Sequence, residues 1–327
     1  MTAAEILAGF PKLSALVVGD ICLDRWCTYD PGVAEASRET GIPRIGVIRT
    51  EITPGAGGTV ANNLIALGAG RVNVLGVVGN DGFGHELAQA LENRGISADT
   101  LIQSPDVQTF TYTKLINCKT GVEDLPRVDF INTSPLDPKA EQQVLHALPA
   151  AVHASDIILV SDQAETSAGG VVTHQVRNLL AALAAQYPEK VFWADSRARI
   201  GLFRNMIIKP NRAEAESVCL QQFGRVDYQV LREYCQARLM IVTDGADGAL
   251  VVEASQETFC KTKPISDPID ICGAGDSFSA GTALALAITG CPVEAAHFGN
   301  LVASITIMKK GTGTASPAEV LEAARGW

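Results

Sequence analysis

"DICGAGDSF", residues 270–278, sets three small residues, Gly273, Ala274 and Gly275, directly ahead of a carboxylate, Asp276. The run that follows, SFSAGTALALAITG, is apolar and long enough for a helix. Small residues ahead of a helix leave successive backbone N–H groups uncovered, and the helix N-terminus adds partial positive charge. The stretch therefore predicts an anion site built from backbone alone. A carboxylate there would repel a resting phosphate. Its useful work is to take the proton from a hydroxyl attacking a phosphoryl group held by those amides. Read alone, the stretch also fits a tight turn with a helix cap, so the rest of the chain must decide.

Working outward, short β-branched runs recur: ALVVG (15–19), VNVLGVV (72–78), DIILVS (156–161), VFWAD (191–195), MIIKP (206–210) and LMIVT (239–243). Between most of them lie helix-length stretches such as GHELAQALENRG and VVTHQVRNLLAALAAQY, with apolar residues three and four apart. This alternation predicts an α/β fold of three layers, α/β/α, around a mainly parallel central sheet. Such sheets bind ligands beyond the carboxyl ends of their strands. Two β-rich excursions without a helix, at about 25–53 and 108–131, predict a small sheet that lids this crevice and offers a homodimer contact. Extra edge strands on the main sheet are the alternative. The segment after residue 275 reads as helical, with Ser316 as an N-cap and Pro317 at the first helical position.

The chain has 327 residues, 47% hydrophobic and 19% charged, with a formal net charge of -10. That composition supports one large globular unit over 1–327. The acidic balance argues against nucleic acid and anionic membrane as partners, and favours a small molecule. The eight cysteines form no C-x-x-C pair and read as free thiols of a reducing cytoplasm. No basic leader and no membrane-length apolar run is evident. His85, His146, His153, His174 and His297 lack metal-ligand spacing, so a zinc centre is not expected.

The pattern D-x-x-G-A-G-D-x-F resembles the C-terminal signature of the ribokinase-like sugar kinases, the PfkB family, and the resemblance runs over essentially the whole chain. VVGDICLD (17–24) is similar to the family's first strand and sugar-binding turn, PGAGGTVANNLIALG (54–68) to its glycine-rich N-terminal signature, and VGNDGFG (78–84) to the stretch after it. KPNRAEAE (209–216) carries an N-x-x-E element, VTDGADG (242–248) matches T-x-G-x-x-G, and HFGNLVAS (297–304) supplies an asparagine. The resemblance implies ATP and Mg2+, with Asp276 as general base and the amides of 273–276 as anion hole. It implies Lys209, Asn211, Thr243, Gly245, Gly248 and Asn300 around the nucleotide, and Glu214 organising Mg2+ through water. Asp20, Asp24, Gly55, Ala56, Thr59 and Asn63 would face the sugar. Asp270, Cys272 and Gly311 would surround a monovalent cation such as K+.

Within the family the chain resembles the heptose-7-phosphate kinase branch of ADP-heptose synthesis, through GDICLDRW, ASRETGIP (36–43), LPRVDF (125–130), LVSD (159–162) and KKGTGTASPAEV (309–320). Three features depart from it. Thr59 stands where G-G-x-x-N has its asparagine, and Ala56 replaces a second motif residue; a hydroxyl cannot both donate and accept as an amide does. Gln163 and Glu165 follow LVSD where the branch has a lysine-bearing turn. DSRARIGLF (195–203) partly resembles the D-x-N-x-R-x-x-L-W element of fructokinase-like and ketodeoxygluconate-type members, which would make Arg199 a ligand for an acidic or phosphorylated sugar. The sequence ends at Trp327, directly after the kinase-like region, so no attached nucleotidyltransferase is expected.

A ribokinase-type acceptor and a non-catalytic sugar or nucleotide sensor remain as alternatives. Loss of Asp276 or Glu214 would have favoured the sensor, and both are present. A nicotinamide site would need G-x-G-x-x-G, but GAGGTV puts Val60 at the third glycine, and no P-loop motif occurs.

Overall fold

Ser14–Gly19 forms β1, and its side chains divide between two hydrophobic layers: Ala15 and Val17 bury on one side, Leu16 and Val18 on the other. A strand covered on both faces reads as a continuous apolar run, which is why these segments were legible. The computed structural model describes residues 1–164, 166 and 168–325; Glu165 and Trp327 lie outside them. A short α1 (Ala3–Gly9) precedes β1. The chain then leaves for β2 (Ile21–Tyr29) and β3 (Val47–Ala56), and returns through α2 (Gly57–Ala66), β4 (Arg71–Gly79), α3 (Gly82–Glu92) and β5 (Ser97–Ser104). It leaves again for β6 (Thr111–Asn117) and β7 (Val128–Phe130).

The second half runs through α4 (Pro138–His153), β8 (Ile157–Asp162), α5 (His174–Gln186), β9 (Val191–Ser196), β10 (Ile207–Ile208), α6 (Arg212–Phe223), α7 (Tyr228–Tyr234) and β11 (Met240–Thr243). An antiparallel pair, β12 (Gly248–Val252) and β13 (Glu257–Lys261), follows, then α8 (Ala274–Thr289), α9 (Pro292–Thr306) and α10 (Pro317–Ala324). The main sheet has the order β13-β12-β11-β10-β9-β8-β1-β4-β5, parallel from β11 to β5.

All six strands expected from apolar runs are present, but β5, β12 and β13 were missed. SADTLIQS is mostly polar because β5 is a sheet edge. The turn from β11 to β12 hid a hairpin behind glycines. Ser316 caps α10 with Pro317 at its first position, as expected.

The two excursions form a separate four-stranded sheet of order β3-β2-β6-β7, not extra edges of the main one, and β2 begins four residues earlier than expected, at Ile21. Alternation along its strands places Asp24 and Trp26 of β2, and Tyr112 and Lys114 of β6, toward the carboxyl ends of the main sheet. Cys27, Tyr29, Leu115 and Leu125 pack together elsewhere in the small sheet, while Val33, Ile42, Ile45, Val47 and Ile48 are exposed. Among the described residues no helix is long and apolar enough to cross a membrane.

Candidate active site

Asp276 lies in the first turn of α8, whose N-cap, Gly273, has φ 79°, a left-handed conformation that glycine adopts without strain. The helix therefore starts abruptly, and the amides of Gly275 and Asp276, at its second and third positions, have no intrahelical acceptor. The Ala274 N–H, expected in the cradle, is already donated to the Ile271 carbonyl at 3.2 Å. These residues form one wall of a cleft of about 210 Å³ whose other lining includes Asp24, Ala56, Thr59, Gln163 and Arg197.

Carboxylates crowd this point. Burial, then Asp195 and Asp24, lift Asp276 to about 7, against Lys209 and Arg197. Asp24 is raised to about 6, again first by burial, with the Cys22 thiol, Lys114 and Arg127 opposing. Lys209, only 4% exposed, holds Asp195 Oδ2 at 2.9 Å. Burial acts to lower its pKa, yet Asp195, Glu214 and Asp276 together raise it, so the ammonium stays charged. A Cβ on Gly275 would lie 3.7 Å from Lys209 Nζ, which puts that charge against the start of α8.

Glu214 and Asn211 form a reciprocal cap on α6: the Glu214 N–H donates to Asn211 Oδ1 at 2.9 Å, and the Asn211 N–H to Glu214 Oε2 at 2.8 Å. Oε1 of Glu214 is left for a further ligand. Burial raises this carboxylate, with Lys209 and Arg197 close enough to act on it. Thr243 ends β11 beside Asn211, and Gly245 and Gly248 form the next turn. Asp270 brings its expected companions together, accepting the Cys272 N–H at 2.9 Å on Oδ1 and the Gly311 N–H at 3.1 Å on Oδ2. The Cys272 thiol lines the cleft, raised chiefly by burial.

Gly55 is set by contact: a Cβ there would meet Asp24 Oδ1 at 2.3 Å. Ala56 caps α2 at φ 50°, ψ −121°, a conformation foreign to residues with a Cβ. Such strain costs about 1–3 kcal/mol, while glycine's added freedom in the unfolded chain costs about 0.4–1 kcal/mol. Ala56→Gly is therefore expected to stabilise the protein by about 1 kcal/mol. An unchanged or lower melting temperature would show that the strain is absent.

Four expected site residues do other work. Asp20 spends its buried carboxylate on the N–H groups of Gln163, Ala164 and Val171, at 2.8–2.9 Å, so it anchors the 163–171 segment instead of meeting a sugar. Asn63 is fully buried one turn below Thr59 and donates to the Thr59 carbonyl at 3.0 Å, outside the cleft lining. Arg199 grips the buried Asp162 with Nε and Nη2, so it is not available as a substrate ligand. Asn300, 5% exposed, ties α9 to the Cys260 carbonyl of β13 at 3.0 Å. Thr59 keeps its place in the cleft, although its hydroxyl donates to the Pro54 carbonyl at 3.3 Å.

Asp195, Arg197, Lys114 and Arg127 join the site without having been expected there. Asp195, near the end of β9, and Arg197, just after it, lie in the DSRARIGLF element that drew attention to Arg199, and Arg127 lies in LPRVDF. Lys114, on β6, carried no local signal and forms no ion pair among the described residues.

Residues 47–319 match the pfkB family of carbohydrate kinases. The chain belongs to that family. The bifunctional protein HldE of Trichlorobacter lovleyi is 31% identical over 95% of this chain, and that of Geobacter sulfurreducens 29% over 97%. The chain spans only 62% and 64% of the length of those two relatives. Its fold resembles ribokinase from Thermotoga maritima (TM-score 0.69, 19% identity) and phosphofructokinase-2 from Escherichia coli in complex with potassium (0.71, 17%). Each comparison covers 96% of this chain and 99% of the other.

Proposed function

We propose that this pfkB kinase transfers the γ-phosphoryl group of ATP to a hydroxyl of an anionic sugar, with Asp276 as the general base. The observation that carries the reading is a carboxylate raised to about 7, in the first turn of a helix with open amides, across a cleft from a second carboxylate, Asp24. A base of that pKa holds its proton loosely at neutral pH and accepts one readily. Asp24 orients the acceptor hydroxyls. The Gly275 and Asp276 amides and the Lys209 ammonium stand where negative charge develops on the transferred group.

Residues for Mg2+ fit as well. Glu214 has one oxygen held by its cap and one open, which suits a ligand reached through water, since Mg2+ gives up its hydration shell reluctantly. When bound, the ion neutralises phosphate charge. The meeting of Asp270, Cys272 and Gly311 supports a monovalent cation such as K+ beside the cradle.

The anionic acceptor is supported by Lys114, Arg127 and Arg197, three of the four cations in the cleft lining, in a chain of net charge -10. Arg127 is braced by Asp129 at 2.5 Å and stands 5.0 Å from the centre of the Tyr112 ring. A heptose 7-phosphate fits this set best, with a sugar acid of the ketodeoxygluconate type second; a neutral ribokinase-type acceptor would bring these cations no negative group. ADP release across heptose 7-phosphate, hexoses, pentoses, nucleosides and sugar acids tests the reading. Lys114→Met is expected to raise KM for the anionic acceptor about 10–100-fold, the value of a charged hydrogen bond, and to leave kcat within a few-fold. Stimulation by neutral sugars alone would sink the anionic acceptor. ATP binding with no stimulation at all would favour the sensor.

A further inference from the structure

Trp26 joins the small sheet to the turn that holds the cradle. It follows Asp24 on the same face of β2, in register with Lys114 and Glu51. A methyl built onto Gly311 would lie 3.4 Å from Trp26 Cζ2 and 3.8 Å from Cε2 and Cη2, so the indole covers the backbone there. The Gly311 N–H is held by Asp270, whose other oxygen holds the Cys272 N–H. Thr312, the next residue, lines the cleft, and its Cγ2 is 3.3 Å from where a Gly273 Cβ would stand. The 311–312 turn is thus clasped between β2 and the residues that open α8.

We infer that Trp26 is a positioning residue that couples occupancy of the sugar side of the cleft to the amides at the start of α8. Packed interiors compress little, so a shift of β2 moves the turn. Asp270, bonded to both Gly311 and Cys272, passes that shift to the backbone of the cradle. The inference rests on the sugar-and-nucleotide reading proposed above.

The test uses Mg2+ with AMP-PNP, a non-hydrolysable ATP analogue, and no sugar. Trp26→Leu is expected to weaken AMP-PNP about ten-fold, a common size for coupling between sites, although the indole lies on the sugar side. Trp26→Phe, which keeps a ring over Gly311, is expected to bind within roughly two-fold of the parent. In an Asp270→Asn background, Trp26→Leu is expected to add little, because the path is already cut. AMP-PNP is also expected to change the tryptophan emission of the parent but not of Trp26→Phe, a readout that does not depend on Trp26→Leu folding.

If the parent binds AMP-PNP but Trp26→Leu matches its affinity, the inference falls alone; so too if the two losses add in full, or if the emission change survives in Trp26→Phe. If the parent binds no AMP-PNP, the kinase reading falls and carries the inference with it.

Discussion

Asp276→Asn is expected to lower turnover of the confirmed acceptor by about 10²–10⁴-fold, the usual contribution of a positioned base. The same change is expected to stabilise the protein at pH 8. Asp276 is raised to about 7 from an ordinary value of 3.8, so between those pH values the native state keeps a proton that the unfolded chain has lost. Stability contributed by the protonated group is full below the unfolded value and is lost as pH rises through 7. Above that, the folded protein bears the cost of a buried charge, which asparagine does not carry. A melting temperature higher by about 5 °C at pH 8, the gain shrinking toward pH 4, is the expected pattern. In the parent enzyme the acid limb of kcat/KM should fall near pH 7, because the free enzyme's base must be ionised. Parental turnover in the variant would show that another group takes the proton.

Lys209→Met is expected to cost the most stability. The ammonium is 5% exposed in its side chain and neutralises Asp195, itself 15% exposed, beside Glu214 and Asp276. Removing one partner of a buried pair costs about 3–5 kcal/mol, because the other charge stays behind. For a chain this long that corresponds to a melting temperature lower by about 4–7 °C. Because Lys209 also holds the Asp276 pKa down, the acid limb should move above pH 7 as well. Adding Asp195→Asn should restore much of the stability, since it removes the orphaned charge. An unmoved melting temperature and pH profile in Lys209→Met would show that the pair does not hold this junction.

Legibility in the sequence followed the range of the interactions concerned. The carboxylate at the start of α8 was readable because its neighbours in space are its neighbours in the chain. The N-x-x-E element was readable as a pattern, and the structure adds that its two side chains cap one helix on each other. Arg197 and Arg199 could not be told apart, since both follow β9 and have the same local chemistry. A buried partner thirty-seven residues away decides: Asp162 takes Arg199 and leaves Arg197 on the cleft. Asp20 was misplaced for a similar reason, because the three amides that fill its carboxylate come from residues 163–171.

Periodicity alone determined the layered α/β fold, since a strand buried on both faces must be apolar throughout and the helices that cover it must be apolar on one side. Local order likewise determined the open amides and the first-turn carboxylate at the start of α8, because both need only consecutive residues. Tertiary structure alone decided which charges reach the cleft, which are spent on holding loops, and that Trp26 rests on Gly311. Those outcomes depend on strand register and on pairings across the sheet, and no stretch of sequence carries them by itself.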